Sequence, residues 1–179
     1  MQPNGLITLT TDFGQMDAYV AVLKGVILTI NPAAHPLDFI HDVEAQKVAQ
    51  AAYLLHTGYR YFPSGTVHLV VVDPGVGGER KAIALRSPSW AFVAPDNGVL
   101  TYVWQALLAE HGRAALELVE LTEPRWWLPS ISTTFHGRDI FAPVAAHMAA
   151  GVALSEFGPA LDAPMLLPCL LYTSPSPRD

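Results

Sequence analysis

The stretch from Thr66 to Arg80, TVHLVVVDPGVGGER, constrains this chain more than any other. Leu69, Val70, Val71 and Val72 form a continuous apolar run beside His68. Such a run reads as a strand covered on both faces, as in a parallel or mixed sheet lying between helices. It ends on Asp73 and breaks into a Pro/Gly turn, with Arg80 seven residues further on. The glycines permit backbone angles and close approach that other residues resist, and a turn of this kind can expose amide N–H groups to an anion. No Lys-Ser/Thr follows the glycines and the dinucleotide spacing is absent, so neither phosphate-loop motif is present. Two readings stay open at this level: a surface turn closed by an Asp73–Arg80 ion pair, or part of a reaction centre.

The rest of the chain alternates strand and helix signals. Leu6 to Thr11 predicts a strand that runs into Asp12-Phe13-Gly14. Asp17 is a candidate cap for a helix with Val20, Leu23, Ile27 and Ile30 on one stripe. Gly25 weakens that helix but allows close packing, and Asn31-Pro32 ends it. Leu37 to Ile40 predicts a second strand. Asp42 is a candidate cap for a helix from Val43 to Thr57 with Ala45, Val48, Ala52 and Leu55 along one side, stopped by Gly58. Lys81–Leu85, Ala91–Ala94 and Ala115–Leu121 predict further strands. A helix carrying Leu100, Val103, Trp104 and Leu107 runs up to Gly112. A last helix, with Asp139 as candidate cap and Pro143 in its first turn, closes at Gly151.

The expected fold class is α/β, a layered sheet with flanking helices. In such folds ligands bind at the carboxyl ends of the strands. Asp12, His41-Asp42, Asp73 and Asp96-Asn97 all follow predicted strands, and that regularity is the best local evidence for a site.

Composition narrows the function classes. Of 179 residues 15% are charged and 51% hydrophobic, a globular balance. A net charge of -6 without a Lys/Arg block argues against nucleic acid as partner. The single Cys169 leaves no intrachain disulfide framework, and no histidine or cysteine motif points to a metal. No signal peptide and no run of roughly 18 apolar residues is evident, so neither secretion nor a membrane span is expected, and the cytoplasm is the expected location. After about Pro164 the chain turns Pro/Ser-rich and loses its pattern. That tail is expected to be artefactual or disordered.

His136 lies in a loop just before the last helix. It has the pKa range for proton handling, or is simply a hydrogen-bonded histidine. Asp12 can accept two hydrogen bonds from a ribose diol, or act as a cap or turn residue. Asp96-Asn97 offers an acceptor and an amide on a tight turn, or is only the turn. Trp126 and Trp127 can stack on a base, cover an interface, or pack against a further segment.

Four segments carry a resemblance: LTTDFGQMDAYVAVLKGVI, VVVDPGVGGERKAIAL, FVAPDNGVLT and STTFHGRDIFAPVAAHMA. Together they resemble the S-adenosyl-L-methionine hydroxide adenosyltransferases, hydrolase relatives of the fluorinase and chlorinase enzymes, over roughly Leu6 to Gly158. The resemblance implies hydrolysis of S-adenosyl-L-methionine to adenosine and L-methionine by attack of water or hydroxide at ribose C5′, with no cofactor. It assigns Asp73, Arg80 and His136 to catalysis and Asp12 to ribose binding; Phe13, Asp96 and Asn97 complete the candidate substrate-binding set. Having all three catalytic residues favours water over halide. The alternatives are a chlorinase-like adenosyltransferase and a non-catalytic nucleoside-binding module. The family adds a second, β-rich domain and assembles as a homotrimer with sites between subunits. On that basis residues 1–158 are expected to form the N-terminal α/β catalytic domain and 159–179 the start of an interdomain stretch plus the tail. The chain alone is expected to be inactive or nearly so.

Overall fold

The computed structural model describes residues 1–168. Among them, six strands form one sheet: β1 (Leu6–Thr11), β2 (His35–Ile40), β3 (Val67–Val71), β4 (Ala82–Arg86), β5 (Ala91–Pro95) and β6 (Glu117–Glu120). Their order is β2-β1-β3-β5-β4-β6. The first four in that order run parallel to one another, and β4 pairs antiparallel with both β5 and β6. Every residue of β3 is buried, as its unbroken apolar run requires.

Four helices, α1 (Tyr19–Ile30), α2 (Val48–Gly58), α3 (Thr101–His111) and α4 (Ala142–Ala149), cover the two faces. Period-two alternation decides which side chain meets which helix. Ile7, Leu9, Leu69 and Val71 pack with Leu23 and Ile27 of α1 and Val144 of α4. Val70, Val72 and Phe92 pack with Leu55 of α2 and Val103 and Leu107 of α3. The chain therefore leaves β1 on one face to reach β2 and returns on the other face to β3, on the far side of β1. That reversal opens a crevice at the carboxyl ends of β1 and β3, where Asp12 and Asp73 lie.

Several local expectations are corrected. Helix α2 begins at Val48 with Lys47 at its N-cap, so Asp42 caps nothing and Ala45 is exposed in the preceding loop. Helix α1 starts after Ala18 with no side-chain cap, so Asp17 does not cap it. Asp139 is no cap either. It is fully buried inside a π-type turn, Gly137–Phe141, that leads into α4. Gly25 serves no close packing, because a Cβ there would meet nothing within 4 Å. The start of the tail is not featureless. Asp96 accepts the Met165 N–H, Thr101 accepts the Leu167 N–H, and the Leu167 side chain lies over Gly98. Residues 169–179, with most of the predicted tail, lie outside the described residues.

His68 is a buried titratable group on the α2 side of β3. Its Nδ1 pairs with Thr8 Oγ1 at 2.7 Å, its ring stacks on Phe92 at 5.0 Å, and Nε2 has no partner. Burial pushes its pKa down from 6.5 to about 3. A histidine depressed in the folded state contributes stability above its unfolded pKa and loses it as pH falls toward the folded value. Stability is therefore expected to fall between pH 6.5 and 3, by on the order of 3 kcal/mol at pH 4. Urea midpoints against pH check this: a Thr8→Val/His68→Leu variant should show a much flatter acid slope. In the same assay Gly25→Ala, with ordinary φ and open space around it, should raise stability by about 1 kcal/mol.

Candidate active site

The turn after β3 is shaped by what it must approach. Gly77 has φ of 75°, and a Cβ there would stand 2.2 Å from the Thr133 carbonyl oxygen. The turn is thus pressed against the 132–136 loop, which lies far away in sequence. The amides of Val76 and Gly78 bond back to the carbonyls of Asp73 and Gly75. Those two donors close the turn and do not form an open anion cradle.

This approach brings Arg80 between Asp73 and His136. Arg80 Nε lies 3.0 Å from both Asp73 oxygens, and Nη2 also donates to Oδ2. The same Nη2 donates to His136 Nδ1 at 2.9 Å. The Asp73 and Arg80 side chains are 5% and 10% exposed, and the guanidinium lies over the Phe141 ring at 5.2 Å. His136 has its pKa lowered by burial and then by the Arg80 charge, against weaker opposing pulls from Asp73, Asp139 and the Ser132 backbone.

Asp139 holds the loop that presents His136. Its Oδ2 accepts from both the Ser132 N–H and hydroxyl at 2.8 Å, and Arg138 Nε donates to Oδ1. Burial alone would raise its pKa; the Arg138 and Ser132 donors outweigh that and keep it below the usual carboxylate range. Ser132 Oγ then accepts the Phe135 N–H, one residue before His136.

Asp12 faces the same pocket from the end of β1. Its Oδ2 accepts the Gln46 N–H at 2.9 Å. Gln46 has φ of 65°, the one left-handed non-glycine among the described residues, so the loop before α2 carries strain where it touches Asp12. The buried His41 ties that loop to the sheet. Its Nδ1 meets Thr11 Oγ1 at 2.9 Å, its Nε2 meets Asp38 Oδ1 at 2.7 Å, and its carbonyl accepts the Gly14 N–H. Burial alone would raise the Asp38 pKa; the Lys24 and His41 hydrogen bonds outweigh it and lower that pKa.

Asp12, Asp73 and His136 line a pocket of about 60 Å³, with Phe13, Val76 and Phe135 among its walls. A neighbouring cleft of about 320 Å³ shares Phe13, Thr134 and Phe135 and adds Tyr19. Phe13, Tyr19 and Phe135 form an aromatic trio with centroids 5.2 to 5.8 Å apart. The small space suits one or two waters, and the larger one is within the range of organic ligand sites.

Asp73, Arg80, His136, Asp12 and Phe13 therefore come together. Asp96 and Asn97 do not line either space. Asp96 faces Met165, and burial raises its pKa. Asn97 donates from Nδ2 to the Val72 carbonyl at 2.9 Å, which fixes the backbone just before Asp73. Trp126 packs on His147 and Phe157 within the chain. Tyr19, Phe135 and Gln46 are not singled out by the sequence. His41 was visible as a polar strand end, but the positive φ of Gln46 leaves no sequence signal.

Residues 7–158 match the family model described as SAM hydroxide adenosyltransferase N-terminal domain. The chain belongs to that family. It is 44% identical over 162 residues to an (R)-S-adenosyl-L-methionine hydrolase of Salinispora tropica, covering 90% of this chain and 60% of that protein. It is 30% identical over 181 residues to a fluorinase of an Actinoplanes species, covering 88% and 59%. A crystal structure of an uncharacterized conserved protein from Thermotoga maritima superposes with a TM-score of 0.83 at 44% identity, covering 90% of this chain and 61% of that one. The chain thus spans about 60% of the length of these relatives.

For this member of the adenosyltransferase family, Gly77→Ala should destabilise the fold by about 2–3 kcal/mol. It combines positive φ with a backbone collision at Thr133. Thermal or urea unfolding checks this, and a change within 0.5 kcal/mol would contradict the packed turn.

Proposed function

We propose that the chain carries the water-delivering part of a S-adenosyl-L-methionine hydrolase site. The observation that carries the reading is Arg80 joining Asp73 and His136, which with Asp12 line a water-sized pocket next to an aromatic cleft. The hydrolase relatives, at 40–44% identity, stand above the fluorinases at 28–30%.

The aromatic cleft takes the nucleoside. The Asp12 oxygen not bonded to Gln46 accepts from the ribose hydroxyls and turns C5′ toward the small pocket. A water there is held by Asp73 and His136. The substrate is a sulfonium, so methionine leaves as a neutral thioether and needs no acid. The oxygen–C5′ bond forms as the C5′–sulfur bond breaks. The protein's task is to align water, carbon and sulfur and to exclude bulk solvent. In the whole protein a β-rich domain from a neighbouring subunit of a homotrimer covers the cleft. Tyr19 at the cleft is 49% exposed, and the nearby Met16 and Ile131 are 99% and 40% exposed, which supports a surface meant to be covered.

The test is release of adenosine from S-adenosyl-L-methionine, followed chromatographically. A version extended to the relatives' full length should turn over, while this chain alone should be nearly inactive. In the extended protein, Arg80→Lys keeps the charge but cannot reproduce three bonds to Asp73 and one to His136. It should lower kcat by about 100-fold or more with little change in substrate affinity. Unchanged kcat would remove Arg80 from the reaction centre.

A further inference from the structure

We infer that His136 serves the reaction as a hydrogen-bond donor through Nε2–H, and that the proton lost by the attacking water goes to the Asp73 carboxylate, not to the imidazole. This rests on the hydrolytic reading above.

The geometry is one-sided. Arg80 Nη2 stands 2.9 Å from His136 Nδ1. A guanidinium has only donors and keeps its proton in proteins, so Nδ1 must offer a lone pair. A neutral imidazole carries one proton, which is then on Nε2. A doubly protonated ring would set N–H against N–H. The groups facing the ring are Arg80 from the turn after β3, Asp73 from the end of β3, Asp139 from the turn before α4, and Asp12 across the pocket. Burial and Arg80 favour the neutral ring more than the carboxylates and the Ser132 backbone oppose it.

A general base needs a free lone pair toward the proton it takes. His136 has none to spare: Nδ1 is bonded to Arg80, and Nε2 already holds its proton. Asp73 differs. Oδ2 receives two of the three Arg80 bonds and Oδ1 only one, so Oδ1 keeps the more open lone pair.

The step balances without further reactants. The water oxygen bonds to C5′, and the C5′–sulfur electron pair goes to sulfur. One water proton passes to Asp73 Oδ1, and the Nε2 proton of His136 stays in place. Oxygen bonded to C5′ becomes strongly acidic as the bond forms, so even a carboxylate paired with arginine suffices late in the step.

Two measurements test this. Long-range nitrogen–proton spectra of the imidazoles in this chain, from pH 5 to 8, should show neutral His136 with bare Nδ1 and protonated Nε2, and a titration midpoint below the ordinary 6.5. A protonated Nδ1, or a titration midpoint at or above 6.5, overturns the donor role. In the extended protein, His136→Gln restores an acceptor for Arg80 and an N–H donor but no base. It should keep within about tenfold of the parent kcat, while His136→Ala loses about 100-fold or more. Equal, large losses in both variants overturn the inference. Absence of adenosine from the unsubstituted protein overturns the hydrolytic reading and the proton route with it. The tautomer is read without substrate, so the two failures are distinguishable.

Discussion

Everything at the site depends on how Arg80 spends its donors. The guanidinium lies under the protein surface, against Phe141, and satisfies a carboxylate on one side and an imidazole on the other. A buried ion pair of this kind is weak evidence for stability, because desolvating both charges offsets most of their attraction. Its value is geometric. Both Asp73 oxygens are engaged, so the carboxylate cannot rotate, and Nδ1 of His136 is fixed as an acceptor. One side chain thereby sets the orientation of two groups, one of them 56 residues further along the chain.

That contact exists only because the two segments touch, and the touch is made by absent side chains. Gly77 lets the turn after β3 rest on the Thr133 carbonyl, and Gly137 lets the start of the π-type turn rest on Val71 of β3. The sheet supplies the other constraint. Asn97, reaching across from the end of β5, holds the Val72 carbonyl, so Asp73 leaves the sheet along a fixed path. Asp139 does the same for the loop before α4 through Ser132.

The layered sheet was legible because its signals are local. An unbroken apolar run such as Leu69–Val72 has few solutions, and α1 and α3 follow from helical stripes of the right period. Helix starts were not legible. Asp17, Asp42 and Asp139 each sit where a cap is plausible, yet each faces a different demand. Asp139 in particular bonds to Ser132 and Arg138 inside a turn wider than an α-helix. Of the site, the residue types at strand ends were visible. Which of them converge was not, because that depends on the order of strands. Asp96 and Asn97 end β5, one strand beyond β3 in the sheet, and are turned to Met165 and Val72, whereas Asp12 ends the neighbour on the other side. The left-handed Gln46 that engages Asp12 is a tertiary effect with no signature in its own residue type.

In the proposed reaction the substrate is a sulfonium, which gives a neutral His136 an electrostatic advantage. Asp73 and Arg80 cancel as a pair, and Asp12 adds one formal negative charge across the pocket. A protonated His136 would place a second cation beside the approaching cationic carbon, with little water to screen it. A neutral ring that donates from Nε2 orders the attacking oxygen without adding that repulsion. Burial favours this state first, and the bond from Arg80 adds to it: it occupies the nitrogen that would otherwise gain a proton, and its charge opposes that gain. Removing Arg80 would therefore do more than release Asp73. It would leave His136 free to change tautomer and charge, so the two losses cannot be additive in a double variant.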